Sequence, residues 1–219
     1  MTEHRDTKII KFINEFGFCE MPQIEKQFGL NKPRAYKIMQ RLVKHGYVIH
    51  ERIFYHRHGI YRVTREGAQL TGLPRLVKVP VGIYEHQLAV IEIYIQLMQQ
   101  YPGATWMSER IIRKLGYMPK MGSRKEKHFA DALFYLPDGK LVAIEVELTM
   151  KSKRRLKDIL TKYMCQFEIK EVWYFCSSEI IERVKNLANK FSMIKVYEFS
   201  PDKTDKTILS VLSGEEGAS

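Results

Sequence analysis

The sequence predicts an α/β protein with two domains. Three helical segments and a short basic hairpin occupy the first 72 residues, and strands alternate with helices from residue 82 onward. A chain of 219 residues is long enough for two modest hydrophobic cores. Its composition, 45% hydrophobic and 28% charged, is that of an ordinary globular protein. We expect domains over residues 1–72 and 82–200, a linker over 73–81 and a tail over 201–219.

Capping residues and apolar spacing predict three helices in the first domain. Asp6 is placed to cap a helix that Gly17 ends, and a second short helix covers residues 22–28. Asn31 is placed to cap a third helix over residues 32–45. The polar side of this third helix is almost purely basic, and its apolar stripe consists of Ala35, Ile38, Met39 and Leu42.

Two strand-like segments, residues 47–55 and 60–64, then flank a basic turn. This order of helices, tight turn and hairpin resembles a winged helix-turn-helix DNA-binding domain over about residues 6–72. The resemblance implies that the third helix enters the major groove and the hairpin contacts backbone or minor groove. A charged helix face that is merely solvated is the alternative. The implied DNA-binding residues are Arg34, Lys37, Gln40, Arg41, Lys44, Arg57 and His58.

Residues 129–149 predict a β-hairpin, because strand formers flank the turn-forming run Pro137, Asp138 and Gly139. Its second strand alternates cleanly, so one face would join a core and the other would present Glu145 and Glu147. Counting back from the turn places Asp131 opposite Glu145 or one step from it. Like charges held that close repel unless a cation or a proton lies between them. Scattered charges on a solvated sheet face are the alternative.

The remaining segments complete the second domain. We expect helices at 83–101, 152–167 and 178–190, strands at 104–112, 171–176 and 195–199, and a basic loop at 113–127. With Asp131, the hairpin and Glu145-Val146-Glu147, this order resembles the PD-(D/E)XK restriction-endonuclease-like fold, in a variant with glutamate in place of the motif lysine. The resemblance implies an α/β sandwich with a mixed sheet.

A winged helix followed by such a motif, a threonine, basic residues and Lys162-Tyr163 is similar to the replication-relaxation family of plasmids and mobile elements. Glu147 stands where that family has aspartate, and its threonine comes one residue early. The resemblance implies a DNA-processing role. In a catalytic site, Asp131 and Glu145 would bind Mg²⁺ or Mn²⁺, Glu147 would be a further ligand or general base, and Lys151 or Lys153 would supply a cation.

Other side chains near this motif have two interpretations each. His128 is a candidate phosphate contact or base, although a lone histidine is more often structural. Tyr163 is a candidate nucleophile, but its place on an apolar stripe favours a core role. Glu85, Glu92 and Glu109 are candidate supplementary acids that are more typical of a surface.

The net charge of +11 favours a polyanionic partner, with double-stranded DNA first and an anionic membrane surface second. The chain begins MTEHRDTK and has no apolar run of about 18 residues, so we expect a cytoplasmic protein without a membrane span. Three cysteines without C-x-x-C spacing favour reduced thiols. A homodimer is compatible with twofold DNA sites, and replication or mobilisation proteins are candidate partners.

Three functions follow from these patterns. The first is a metal-dependent DNA endonuclease or nickase. The second is a non-catalytic replication or transcription regulator, in which the nuclease-like domain serves dimerisation or partner docking. The third is an RNA-binding module.

Overall fold

A computed structural model describes residues 3–116 and 128–200 of the chain. The chain divides into two compact units, Met1–Ile95 and Gln96–Ser219. The sequence places the linker at residues 73–81, whereas the first unit extends into the long helix that follows that segment. Most of the expected basic loop and the expected tail lie outside the described residues.

The first unit consists of helices around a small antiparallel sheet, in the order β1-β3-β2. Asn31 caps its third helix by accepting a hydrogen bond from the Arg34 amide, and Gly29 ends the second helix in the left-handed conformation. Thr64 caps the fourth helix. The elements in chain order are α1 (Glu3–Phe16), β1 (Cys19–Glu20), α2 (Met21–Phe28), α3 (Lys32–Lys44), β2 (Val48–Glu51), β3 (Ile60–Val63), α4 (Arg65–Gln69) and, after a 3-10 turn at Val81–Ile83, helix α5 (Tyr84–Gln100).

The apolar stripe that the sequence predicts on α3 is buried, as are the isoleucines of α1. The predicted hairpin is present, with Val48 opposite Val63 and Glu51 opposite Ile60. The two-residue strand β1 adds to β3, which the sequence did not predict. Helix α5 is apolar on most sides, so its burial extends beyond the stripe expected for a surface helix.

The second unit is built on a five-stranded mixed sheet in the order β4-β5-β6-β7-β8. Strands β4, β5 and β6 are antiparallel neighbours, whereas β6, β7 and β8 run parallel. The elements after α5 are β4 (Thr105–Ser108), α6 (Glu109–Leu115), β5 (Ala132–Tyr135), β6 (Leu141–Glu147), α7 (Lys153–Tyr163), β7 (Glu171–Cys176), α8 (Ile181–Ala188) and β8 (Ile194–Glu198).

Both faces of this sheet are covered. Alternate residues of β6 and β7, including Ala143 and Tyr174, form one core cluster with apolar residues of α6, α7 and α8. On the opposite face, the rings of Tyr101, Phe134 and Trp173 lie about 6 Å apart. Strand β6 is therefore buried along its whole length.

The structure corrects several predictions of local structure. Residues 104–112 are not one strand, because a helix with a left-handed Gly116 at its end starts at Glu109. Asp6 is not a helix cap, since α1 begins at Glu3 and the Asp6 carboxylate pairs with Arg41. Phe167 is 86% exposed, because α7 ends at Tyr163 before the apolar stripe reaches it.

The three cysteines are free thiols, as expected. Cys19 and Cys176 are buried, and Cys165 is exposed. No helix within residues 3–116 or 128–200 is long and apolar enough to cross a bilayer.

Candidate functional site

The β5–β6 hairpin brings Asp131 and Glu145 together. The Leu136 amide donates to the Lys140 carbonyl across a turn in which Gly139 has a φ of +83°. From there the ladder pairs Ala132 with Ile144, which places Asp131 next to Glu145 at the far end of the hairpin. The register that the sequence predicts is therefore confirmed.

The Asp131 side chain is fixed against strand β6. Its carboxylate Oδ2 accepts a hydrogen bond from the Val146 amide at 2.7 Å, and its own amide donates to the Ile144 carbonyl at 3.0 Å. These two bonds flank Glu145 on either side along the strand. A carboxylate thus takes the place of a backbone acceptor where the regular ladder ends.

Glu145 is 1% exposed, and its Oε1 atom is the acceptor for two side chains. The Tyr163 hydroxyl donates to it from α7, and Nε2 of His128 lies 2.6 Å away. Burial alone would lower the pKa of His128, but the Glu145 carboxylate attracts its proton and the pKa lies above 6.5. Burial and the same carboxylate raise the pKa of Tyr163. The sequence predicted Tyr163 as a core residue, and the structure places it both in the core and on Glu145.

Glu147, 5% exposed, lies two residues further along β6 and forms an ion pair with Lys151. Burial raises the pKa of Glu147, and the Lys151 ammonium only partly offsets this effect. The pKa of Lys151 is raised in turn, because burial is outweighed by its contacts with the acidic residues. The alternative that these charges lie on a solvated sheet face is wrong, since the carboxylates lie on the face that α7 covers.

Tyr174 is a residue of this site that the sequence did not reveal. The parallel register pairs it with Glu145, so both side chains lie on the same face of the sheet. Its side chain is fully buried, and its hydroxyl makes no hydrogen bond to any residue that the structure describes. Burial, then the charges of Glu145, Glu147 and Asp131, raise its pKa far above 10. A buried hydroxyl is usually hydrogen-bonded, so this one is a group that a polar ligand or water could satisfy.

The side chains here are too few for a site in which the protein supplies every metal ligand, but they suit magnesium. Within residues 3–116 and 128–200, no three His, Cys, Asp or Glu side chains are grouped so as to hold a metal ion. Magnesium, however, is commonly bound by one or two carboxylates together with waters and substrate phosphates. The neighbouring carboxylates of Asp131 and Glu145, with the unpartnered Tyr174 hydroxyl beside them, fit that pattern.

The predicted DNA-binding residues of α3 fall into two groups. Arg34, Lys37, Gln40 and Lys44 are exposed. Arg41 differs, because its guanidinium donates to both carboxylate oxygens of buried Asp6 at 2.8 and 2.7 Å. Its role is therefore at least partly structural.

In the β2–β3 loop, His58 is exposed, but Arg57 pairs with Glu85 at 2.7 Å and lies over the Tyr84 ring. Glu85 is one of the three candidate supplementary acids. The other two are also paired, Glu92 with Lys26 and Glu109 with Arg113. The structure brings none of these three acids into hydrogen bonds with Asp131 or Glu145 among the described contacts.

Comparison with family models, curated proteins and solved structures finds no match to this chain. The resemblance to the replication-relaxation family therefore stays a prediction from the sequence. What the site can do follows from its own groups: two adjacent carboxylates, a third acid paired with a lysine, and a half-buried histidine and two buried tyrosines around them.

Proposed function

We propose that this chain is a DNA-binding protein whose second unit is a metal-dependent DNA endonuclease or nickase of the PD-(D/E)XK type. In this proposal the first unit is a winged helix-turn-helix, and the chain serves the replication or mobilisation of a plasmid or mobile element, as the replication-relaxation resemblance implies. The observation that carries the proposal is the bond from the Val146 amide to Asp131, which fixes a second carboxylate beside Glu145 at one end of the sheet.

The side chains at this site have distinct proposed roles. Asp131 and Glu145 would hold Mg²⁺ or Mn²⁺, which when bound polarises a phosphate and lowers the pKa of a water. Tyr163 and His128 orient the Glu145 carboxylate through its Oε1 atom. Lys151, held at the site by Glu147, would place a positive charge near the phosphate, where charge develops during cleavage.

The test is nicking of supercoiled plasmid in Mg²⁺ or Mn²⁺ by the wild type and by Asp131→Asn and Glu145→Gln. Both variants should reduce nicking to background, because each keeps the side-chain shape but removes a metal-binding charge. Glu182→Gln is the matched control, since Glu182 is an exposed acid of the same unit. The emission of Trp106 and Trp173, which both lie in the second unit, reports whether each variant is folded.

Nicking that survived in both variants would overturn the site. A wild-type protein that binds duplex DNA but cleaves no supercoiled, linear or single-stranded DNA would favour the second candidate function, a non-catalytic regulator.

One observation supports that second candidate. The acids are already satisfied within the protein, because Glu145 accepts from Tyr163 and His128 while Glu147 pairs with Lys151. In a protein that binds no metal, these contacts would serve only to stabilise the fold. Magnesium or manganese should then leave the thermal unfolding of the second unit unchanged, whereas a metal-binding site is stabilised by its ligand.

A further inference from the structure

A hollow of about 760 Å³ in the first unit lies outside the acidic site. The residues that line it come from α2, the first turns of α3, the β2–β3 loop and the adjoining strands β1, β2 and β3. Its volume falls within the range of about 300–1,000 Å³ that is typical of small-ligand pockets. The residues that matter for its chemistry are Glu25, Lys32, Tyr36, Arg52, Tyr55 and His58.

Two aromatic rings of this hollow are turned to solvent. Tyr36 is 54% exposed and Tyr55 is 81% exposed, although tyrosine is usually at least half buried in a folded domain. In contrast, Tyr61 is buried under the stacked ring of His50, with centroids 4.6 Å apart, and the ring of His56 lies edge-on to Tyr55 at 4.9 Å. Exposed tyrosines beside a basic surface are the usual platform for stacking unpaired nucleobases.

The cations of the hollow are available to an anionic ligand. Lys32 and Arg52 are exposed, and neither forms an ion pair with a residue in the described part of the chain. Arg57 differs because it is held by Glu85. A phosphate next to the stacked base would meet Lys32 or Arg52 without breaking an existing ion pair.

Glu25 supplies a hydrogen-bond acceptor to this hollow. Its Oε1 atom is buried and accepts no hydrogen bond from any described residue. A buried carboxylate oxygen is normally hydrogen-bonded, so a ligand with an amino group would satisfy it. Cytosine, adenine and guanine carry such an exocyclic amine, and thymine does not. Glutamate accepting from the cytosine amine is a recognised base contact.

We propose that this hollow binds one unpaired nucleobase of single-stranded DNA. The base stacks on Tyr55 or Tyr36, its exocyclic amine donates to Glu25, and its phosphate lies at Lys32 and Arg52. This inference rests on the proposed function, because it assumes that the first unit binds DNA. It adds that the unit recognises an opened or single-stranded segment as well as duplex.

Fluorescence anisotropy with labelled oligo-deoxycytidine, oligo-deoxythymidine and a blunt duplex tests the inference at fixed salt. The wild type should bind oligo-deoxycytidine more tightly than oligo-deoxythymidine. Tyr55→Leu should weaken single-strand binding about 10-fold, as expected for the loss of one stacked base, whereas Tyr55→Phe should retain it. Glu25→Met should remove the preference for cytidine, because methionine is similar in length but lacks the carboxylate acceptor. None of these three variants should weaken duplex binding as much as 10-fold.

The outcomes separate the two proposals. If the wild type binds neither single strands nor duplex, the proposed DNA-binding function fails together with this inference. If duplex binds but single strands do not, or if Tyr55→Leu and Tyr55→Phe bind single strands equally, only the inference about the hollow is overturned. An unchanged cytidine preference in Glu25→Met would likewise contradict the role of Glu25.

Discussion

Tyr163 and Tyr174 are both buried beside Glu145, but their hydroxyls differ. The Tyr163 hydroxyl donates to Glu145, whereas the Tyr174 hydroxyl has no hydrogen-bond partner among the described residues. Tyr163→Phe should therefore lower the free energy of unfolding by about 1–3 kcal/mol, because a buried carboxylate loses a donor. Tyr174→Phe should change it by only about 0–1 kcal/mol, in the stabilising direction, because it removes a hydroxyl that is already unpaired.

Urea unfolding in metal-free buffer, followed by tryptophan emission, measures this difference. Trp106 and Trp173 are the two tryptophans of the chain and both belong to the second unit, so their emission reports that unit alone. If Tyr174→Phe proves as destabilising as Tyr163→Phe, then Tyr174 has a partner, such as an ordered water, that stabilises the folded state.

His128 should make the stability of the second unit depend on pH. It is the only histidine of that unit, and its pKa lies above 6.5 because the attraction of Glu145 outweighs burial. A histidine whose pKa is raised on folding stabilises the fold fully below its unfolded-state pKa, and this contribution is lost as the pH rises through the folded-state pKa. The stability advantage of the wild type over His128→Gln should thus be larger at about pH 5.5 than at about pH 9. Urea unfolding of both proteins at each pH measures it, and an advantage that grows with pH would contradict this assignment.

At the level of single residues, the sequence predicted which acids form the site but not which side chains surround them. Asp131 and Glu145 could be paired because a short turn fixes the register of a hairpin. Tyr174 gave no signal, since it comes from a distant, parallel strand and looks like any aromatic residue of a buried strand. The sequence predicted Arg41 as a DNA contact. It gave no signal for the pairing with Asp6, because that contact depends on how α1 packs against α3.

Gly67 determines how closely helix α4 approaches the turn after α3. A Cβ added to this glycine would lie 2.1 Å from the Tyr47 carbonyl oxygen, which is backbone and cannot rotate away. Gly67→Ala should destabilise the first unit by about 1–3 kcal/mol, the usual cost of overpacking. Gly82→Ala is the matched control, because nothing lies within 4 Å of a Cβ at that position.

Hydrogen exchange measures this effect locally. The Thr64 amide donates to the Tyr47 carbonyl at 3.0 Å, so peptides that contain Thr64 should exchange faster in Gly67→Ala than in Gly82→Ala. Equal exchange in the two variants would mean that the turn accommodates a methyl group.

Most helices and strands were predictable, and helix α6 shows where the sequence signal was weak. Asn31 and Ser152 cap α3 and α7 as short polar residues do at helix starts. Helix α6 was predicted as the end of a strand and the start of a loop, because seven residues are too few for helical periodicity to appear. The left-handed Gly116 after Leu115 was the available signal for a helix end there.

For the whole molecule, sequence pattern predicted an α/β chain with a mixed sheet but not which face of β6 is covered. Alternation placed Glu145 and Glu147 together on one face, and polar residues on a strand usually indicate solvent. Helix α7 covers that face because Leu156, Leu160 and Tyr163 pack on it. Burial of the acids is therefore a tertiary effect, and it raises the pKa of Glu147 and gives both acids fixed contacts that a surface strand would lack.

The net charge of +11 leads to a prediction for the whole chain. If the protein binds duplex DNA, the logarithm of its affinity should fall linearly with the logarithm of salt concentration, by about 0.9 for each phosphate contact. Lys37→Gln should reduce this slope by about 1, because Lys37 is an exposed lysine of α3. Anisotropy titrations at several salt concentrations measure the slope.

Arg41→Gln provides the comparison that separates DNA contact from folding. Its guanidinium is bound to both oxygens of Asp6, whose side chain is 3% exposed, so its removal leaves a buried carboxylate without its cation. We expect this variant to lower the thermal stability of the first unit while the salt slope stays close to that of the wild type. If Arg41→Gln instead lowers the slope as much as Lys37→Gln without loss of stability, then Arg41 leaves Asp6 to bind phosphate.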